Sequence, residues 1–225
     1  GADQYLNDTE RWVSYIRDSI IEPAIGRDII QLHPVQNPSL FRQVFQMATQ
    51  FPAQIISYNK LQGQLQDRGA IATIKHYLEL LESGFLISLI PKYSTNIIQM
   101  KTSSPKIIVN DNALIKALSK SVHEKLKNPL LGHYFENAVG ARLRAAGWET
   151  YYWKDRNEEV DFVCIGKNGE RYAIEVKSNK TSLEELKGLT TFCKKHEDFE
   201  PFLVSLVNQK FQGIRSIAAE DILGL

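Results

Sequence analysis

The stretch from Glu158 to Ser178 constrains this chain more than any other. Val160, Phe162 and Cys164 alternate with Asp161 and Val163, and Tyr172, Ile174 and Val176 alternate with Ala173, Glu175 and Lys177; Lys167-Asn168-Gly169 lies between them as turn residues. A period of two on each side of a turn predicts a β-hairpin. Residues two apart leave the same face of a strand, so Glu175 and Lys177 emerge together, and Asp161 can lie beside them across the ladder.

Two readings of that trio stand side by side. Opposite charges at this spacing form cross-strand salt bridges on exposed sheet faces, and Asp followed by Glu-x-Lys is a short, degenerate pattern. The same groups also suit a hard cation: Mg2+, or Mn2+ in its place, takes one or two carboxylates and keeps several waters and substrate oxygens. A metal held by Asp161 and Glu175 would acidify a water and stabilise charge on a phosphate, with Lys177 positioning or activating the nucleophile. That is the chemistry of a phosphodiesterase.

Upstream, Leu130-Leu131-Gly132-His133-Tyr134-Phe135-Glu136-Asn137-Ala138-Val139 continues to Leu143 with apolar residues at helical spacing, and Gly147 supplies a stop. Glu136 sits beside the apolar stripe. A helix carrying Phe-Glu, a strand bearing Trp153, then Glu-Val-Asp and Ile-Glu-Val-Lys resembles the restriction-endonuclease-like PD-(D/E)xK core of archaeal Holliday-junction resolvases and RecB-type nucleases. The resemblance implies that Asp161, Glu175 and Lys177 occupy the metal and catalytic positions and Glu136 the auxiliary acidic one. The whole chain also resembles the C-terminal region of a family of prokaryotic AAA+ ATPases, the part known as domain of unknown function 4143. The matching features are Tyr15-Ile16-Arg17-Asp18, the run from Tyr77 to Ile87, Ser104-Pro105-Lys106-Ile107, Phe135-Glu136-Asn137, and Trp153 through Lys177. That resemblance implies an ATPase module ahead of this region. The sequence has no Gly-x-x-x-x-Gly-Lys-Ser/Thr loop, so ATP hydrolysis is not expected of it.

Taken in order, Trp12, Val13, Tyr15, Ile16, Ile20 and Ile21 predict a helix capped by Asn7 or Asp8 and broken at Pro23, with a shorter helix from Ala24 to Leu32. Residues 1–37 then read as a helical linker to a missing N-terminal module, and the Gly-Ala start as the mark of an excised piece. Ser39 and Ser57 are placed to cap two helices, Ile71 to Glu82 forms a third, and residues 85–91 form a strand with Asn96 to Met100 as its expected partner. That order predicts a winged-helix-like domain over 38–118. Its third helix is a poor DNA reader, because Glu79 and Glu82 repel phosphates while only Arg68 and Lys75 add charge nearby; Lys92, Lys101 and Lys106 offer backbone contacts. Residues 104–109 read as a buried strand and 111–118 as a short helix. The Lys/Ser-rich run 119–128 reads as a linker to a restriction-endonuclease-like mixed α/β sheet over 129–225, with a crossover helix at 182–194 and strands at 201–207 and 214–218.

Composition excludes several classes. A net charge of +1 announces no global field for nucleic acid. The two cysteines, Cys164 and Cys193, are too few for a disulfide framework, and both lie in apolar patterns, as expected of buried thiols in a reducing cytoplasm. No apolar run is long enough to span a bilayer, so no membrane partner is expected. The chain is thus expected to be an α/β protein, a winged-helix-like segment followed by an endonuclease-like sheet, acting as a Mg2+-dependent DNA endonuclease-like module. The competing reading is a catalytically silent module that binds DNA or protein beside an ATPase.

Overall fold

A computed structural model describes residues 8–31, 33–66, 69–119 and 128–218, apart from the side chains of residues 101, 128 and 129. The expected Asn7 cap, Arg68 and most of the 119–128 linker lie outside the described residues. The chain is mixed α/β with two sheets and divides into two units. One comprises residues 1–89 and 107–127, the other residues 90–106 and 128–225. Residues 90–106, which the sequence reading kept within 38–118, therefore count with the second unit.

In the first unit, α1 (Thr9–Ile16) is capped by Asp8, whose side chain accepts from Arg11 N–H. Pro23 does not break the helix that follows. Residues 17–21 and 24–29 continue it as wide turns, with Glu22 N–H bonding to Arg17 O and Ile30 N–H to Ile25 O, and these i→i+5 bonds absorb the missing proline donor. Helix α2 (Pro38–Gln50) starts two residues earlier than expected from a Ser39 cap, because Asn37 caps it and Pro38 takes the first turn, where no N–H is needed. Then come β1 (Gln54–Ile55), α3 (Tyr58–Gln64, capped by Ser57), α4 (Ile71–Ser83) and β2 (Ile87–Ile90).

The partner of β2 is not residues 96–100. Asn96 accepts from the N–H groups of Ile98 and Gln99 and starts a helix instead, α5 (Ile97–Thr102). The strand beside β2 is β3 (Lys106–Val109), buried at all four positions, in a sheet of order β1-β3-β2. Helix α6 (Asn112–Leu118) follows, capped by Asp111. Phe41, Val44, Phe45, Ile74, Leu78 and Leu81 give this unit an almost wholly apolar core.

The second unit is built on a five-stranded sheet, β4 (Glu149–Asp155), β5 (Glu158–Ile165), β6 (Arg171–Lys177), β7 (Glu200–Ser205) and β8 (Arg215–Ala218), in sequence order. The first three strands run antiparallel; β6-β7 is parallel, joined by the crossover helix α8 (Lys187–Lys195), and β7-β8 is parallel as well. Val160, Val163, Ala173, Leu189, Phe192 and Leu203 form the core under α8. Gly188 lets α8 approach β5 closely: a Cβ there would sit 2.1 Å from the Glu159 carbonyl oxygen. Helix α7 (Asn128–Ala145) packs against β4 and β6, and its chain turns into β4 through Gly147 at φ +83. Among the described residues, no helix is long and apolar enough to cross a membrane.

Candidate functional site

The predicted hairpin exists, but its alternation is interrupted where the chemistry would be. Tyr151 pairs with Val163 and Trp153 with Val160, so Tyr152 alone stands opposite two residues, Asp161 and Phe162. This is a β-bulge. Its effect shows in the core, where Val160 and Val163, three apart, share one apolar cluster instead of facing opposite ways. The regular pairing of β5 with β6 extends from Ile165↔Arg171 to Phe162↔Ile174. At Asp161 the side chain takes over, its Oδ2 accepting from Val176 N–H at 2.8 Å.

The ion pairs of the four expected residues fall into two sets, although the Asp161 charge acts on Glu175 and Lys177 as well. Glu175 and Lys177 form one, with Lys177 Nζ 2.9 Å from Glu175 Oε1. Asp161 and Glu136 form the other, and a residue the hairpin gives no hint of sits between them. Lys106 Nζ lies 2.7 Å from Glu136 Oε1, 3.3 Å from Glu159 Oε1 and 3.6 Å from Asp161 Oδ1. It also donates to the Asp161 carbonyl at 3.2 Å and stands 5.3 Å from the Phe162 ring centre. Lys106 is 1% exposed, so it cannot make the phosphate-backbone contact expected of it. Tyr152 secures the approach of this segment: its hydroxyl donates to Ser104 O at 2.6 Å, and its backbone exchanges bonds with Pro91 and Tyr93.

Electrostatics follow from that crowding. Burial alone would lower the Lys106 pKa, but Glu136, Asp161 and Glu159 outweigh it and hold the ammonium protonated well above the ordinary lysine value. Burial, then the Asp161 charge, pushes the Glu136 carboxyl up to about 8 against the pull of Lys106. Burial would raise Glu159 too, yet Lys106 and Lys154 hold it below the usual glutamate value. Glu175 is raised well above its usual value, by burial first and Asp161 second, with Lys177 opposing. Lys177 is raised because Glu175 outweighs burial. One ammonium among three carboxyls leaves an excess of negative charge, which retention of a proton relieves.

A groove of about 380 Å3 opens beside the cluster, bordered by His133, Glu136, Asp161, Lys177, Lys180 and Glu185. Of the flanking charges, Glu158 is engaged by Lys187 at 3.1 Å, whereas Lys180 is exposed. Both cysteines are free thiols, Cys164 buried and Cys193 half-buried, and burial raises both, to about 12 and about 11.

The residues fit a divalent ion poorly as they stand. Mg2+ needs oxygens at about 2.0–2.1 Å in near-octahedral array, while those around Lys106 Nζ stand at 2.7–3.6 Å and already hold a cation. Among the described residues, no three His, Cys, Asp or Glu side chains are grouped to hold a metal. Sequence reasoning missed the role of Lys106. The available sign was a lysine heading the run Ile107-Ile108-Val109, where every neighbour is apolar.

Two mixed α/β units, one with an apolar core and one with a charged cluster beside a groove, describe the class of protein. Residues 4–125, more than half of the chain, match the model of a domain of unknown function (DUF8612), and the chain belongs to that family. Residues 131–219 match a second domain of unknown function (DUF4143), often C-terminal in ATPase-associated proteins. The resemblance to that domain is thus confined to the second part of the chain; the motifs at Tyr15–Asp18, Tyr77–Ile87 and Ser104–Ile107 fall in the stretch matched by the other family. An uncharacterized protein of Methanocaldococcus jannaschii is 25% identical over 226 residues, covering 96% of this chain and 48% of the relative. The chain spans about half the length of that curated relative.

Proposed function

We propose that the second unit is a nuclease-like PD-(D/E)xK module that grips DNA without cutting it and serves an ATPase module in the intact protein. The observation that carries this reading is that both expected metal ligands are engaged within the protein, Asp161 by Val176 N–H and Lys106, and Glu175 by Lys177. A divalent ion would be held by Asp161 and Glu175 and would activate water and stabilise phosphate charge, and both carboxylates already have partners within the protein. Lys177 and exposed Lys180, with His133 beside them, border the groove and are the groups available to phosphates. The order α2-β1-α3-α4-β2-α5-β3, with its three-stranded sheet, supports a winged-helix-like reading of the first unit in which a short helix stands between the last two strands along the chain. Helix α4 pairs Lys75 with Glu79 at 3.9 Å, which suits packing or protein contact better than phosphate binding.

The test is a gel-shift and nicking assay on plasmid and branched DNA with Mg2+ or Mn2+. DNA should be retarded, less so as salt rises, and left intact; Lys177→Ala with Lys180→Ala should weaken retardation. Metal-dependent nicking that disappears in Asp161→Asn would return the catalytic reading, with Asp161 and Glu175 as metal ligands, Lys177 activating water and Glu136 assisting.

A further inference from the structure

We propose that Lys106 is a resident cation: its ammonium group occupies the cage made by Glu136, Glu159 and Asp161, and a divalent ion binds there only when the lysine is taken away. The inference deepens the reading of a silent nuclease-like site and rests on it.

Geometry carries the argument. Four oxygens surround Lys106 Nζ, from Glu136 at 2.7 Å, the Asp161 carbonyl at 3.2 Å, Glu159 at 3.3 Å and Asp161 Oδ1 at 3.6 Å. The nearer separations are those of ammonium hydrogen bonds, and all are longer than metal–oxygen bonds. The lysine arrives from outside the hairpin, held by the Tyr152–Ser104 bond, and its side chain is sealed from solvent. A second observation points to the same place. Among the described residues Glu175 Oε2 is buried without a hydrogen-bond partner, and the charges of Asp161 and Glu136 both act on Glu175. An unsatisfied carboxylate oxygen is costly unless something nearby compensates it. With Lys106 removed, Glu136, Glu159, Asp161 and the spare oxygen of Glu175 would be left with too much negative charge and too few donors, and a cation from solution is the remedy.

Dimensions choose the cation. An ammonium-sized cage must contract least for Ca2+, whose oxygens stand at about 2.3–2.6 Å in flexible arrays, and most for Mg2+. The emptied cage therefore takes Ca2+ in preference to Mg2+.

The experiment compares wild-type chain, Lys106→Ala and the double variant Lys106→Ala/Glu136→Gln by calorimetric titration with Ca2+ and Mg2+, and by thermal melts in millimolar cation against chelator. The wild-type protein should bind neither ion and melt alike in both. Lys106→Ala should bind Ca2+, melt higher with it than with chelator by several degrees, and respond less to Mg2+; the double variant should lose most of that response. Divalent binding by the wild type, or indifference of Lys106→Ala to both ions, overturns the proposal. Because Lys106→Ala can fail to fold, the ammonium resonances of 15N-lysine-labelled wild type are followed separately. A protected Lys106 signal unmoved by millimolar Mg2+ supports the proposal, and one that exchanges or shifts on adding metal defeats it. Metal-dependent nicking by the wild type together with a Lys106 signal that shifts on adding metal would sink both readings, whereas a shifted Lys106 signal without nicking would sink this inference alone.

Discussion

The cores of the two units obey different rules. Among the described residues, the polar side chains buried in the first unit are Thr49 and Ser88, both neutral and both hydrogen-bonded. The second unit buries Lys106 and Glu175, with Glu136 only 14% exposed. A core of Phe41, Phe45 and Leu78 needs only shape and apolar area. A core containing an ammonium among carboxylates costs desolvation energy that only good geometry and full hydrogen bonding offset, and such a cost marks a place selected for something other than stability. The contrast teaches where to look for chemistry: the buried charges lie in the second unit.

The largest effect that could break this comparison is on stability. Lys106→Met leaves three carboxyls around an apolar side chain and should cost about 3–5 kcal/mol in urea denaturation at neutral pH. In the first unit, Phe45→Ala should cost about as much through its cavity. The two losses differ in kind: lowering the pH should restore part of the first, by protonating the carboxyls, and none of the second. Equal pH responses would erase the distinction.

A second test uses pH on the unmodified chain. The Glu136 carboxyl is raised in the folded state to about 8, and Glu175 is raised in the same direction. A raised carboxyl keeps a proton that the unfolded chain releases, so its contribution is full below the unfolded value of about 4.5 and is lost as pH rises toward 8. Thermal stability should therefore decline across that window, and Glu136→Gln should flatten the decline. A melting temperature that rises steadily from pH 5 to 8, unaltered by Glu136→Gln, would contradict the burial assigned to this carboxyl.

The smallest effect concerns the fit of α8 on β5. Gly188→Ala places a methyl against the backbone of Glu159 and should cost about 1–3 kcal/mol. Because Glu159 also holds Lys106, the variant should make the Lys106 ammonium protons exchange faster with solvent. A neutral Gly188→Ala would mean that the helix shifts without disturbing the strand.

Much of the architecture was legible from local rules. The hairpin, Gly147 as the helix stop, Ser57 as a cap, the strand within 104–109 and the short helix after it follow from turn chemistry, capping and burial patterns. Pro23 and residues 96–100 were not, for opposite reasons. Wide helical turns supplied a tolerance that propensity does not anticipate, and Asn96 capped a helix where apolar content suggested a strand.

The sequence by itself determined that Glu175 and Lys177 share a strand face, because the period of two is fixed by covalent geometry. It also determined that Asp161 lies in the neighbouring strand. What Asp161 would meet there was decided only by the tertiary structure, through one extra residue opposite Tyr152 and a lysine delivered from fifty-five positions earlier. A bulge depends on pairing between strands, and a buried ion pair on segments distant along the chain, so neither leaves a local pattern to read.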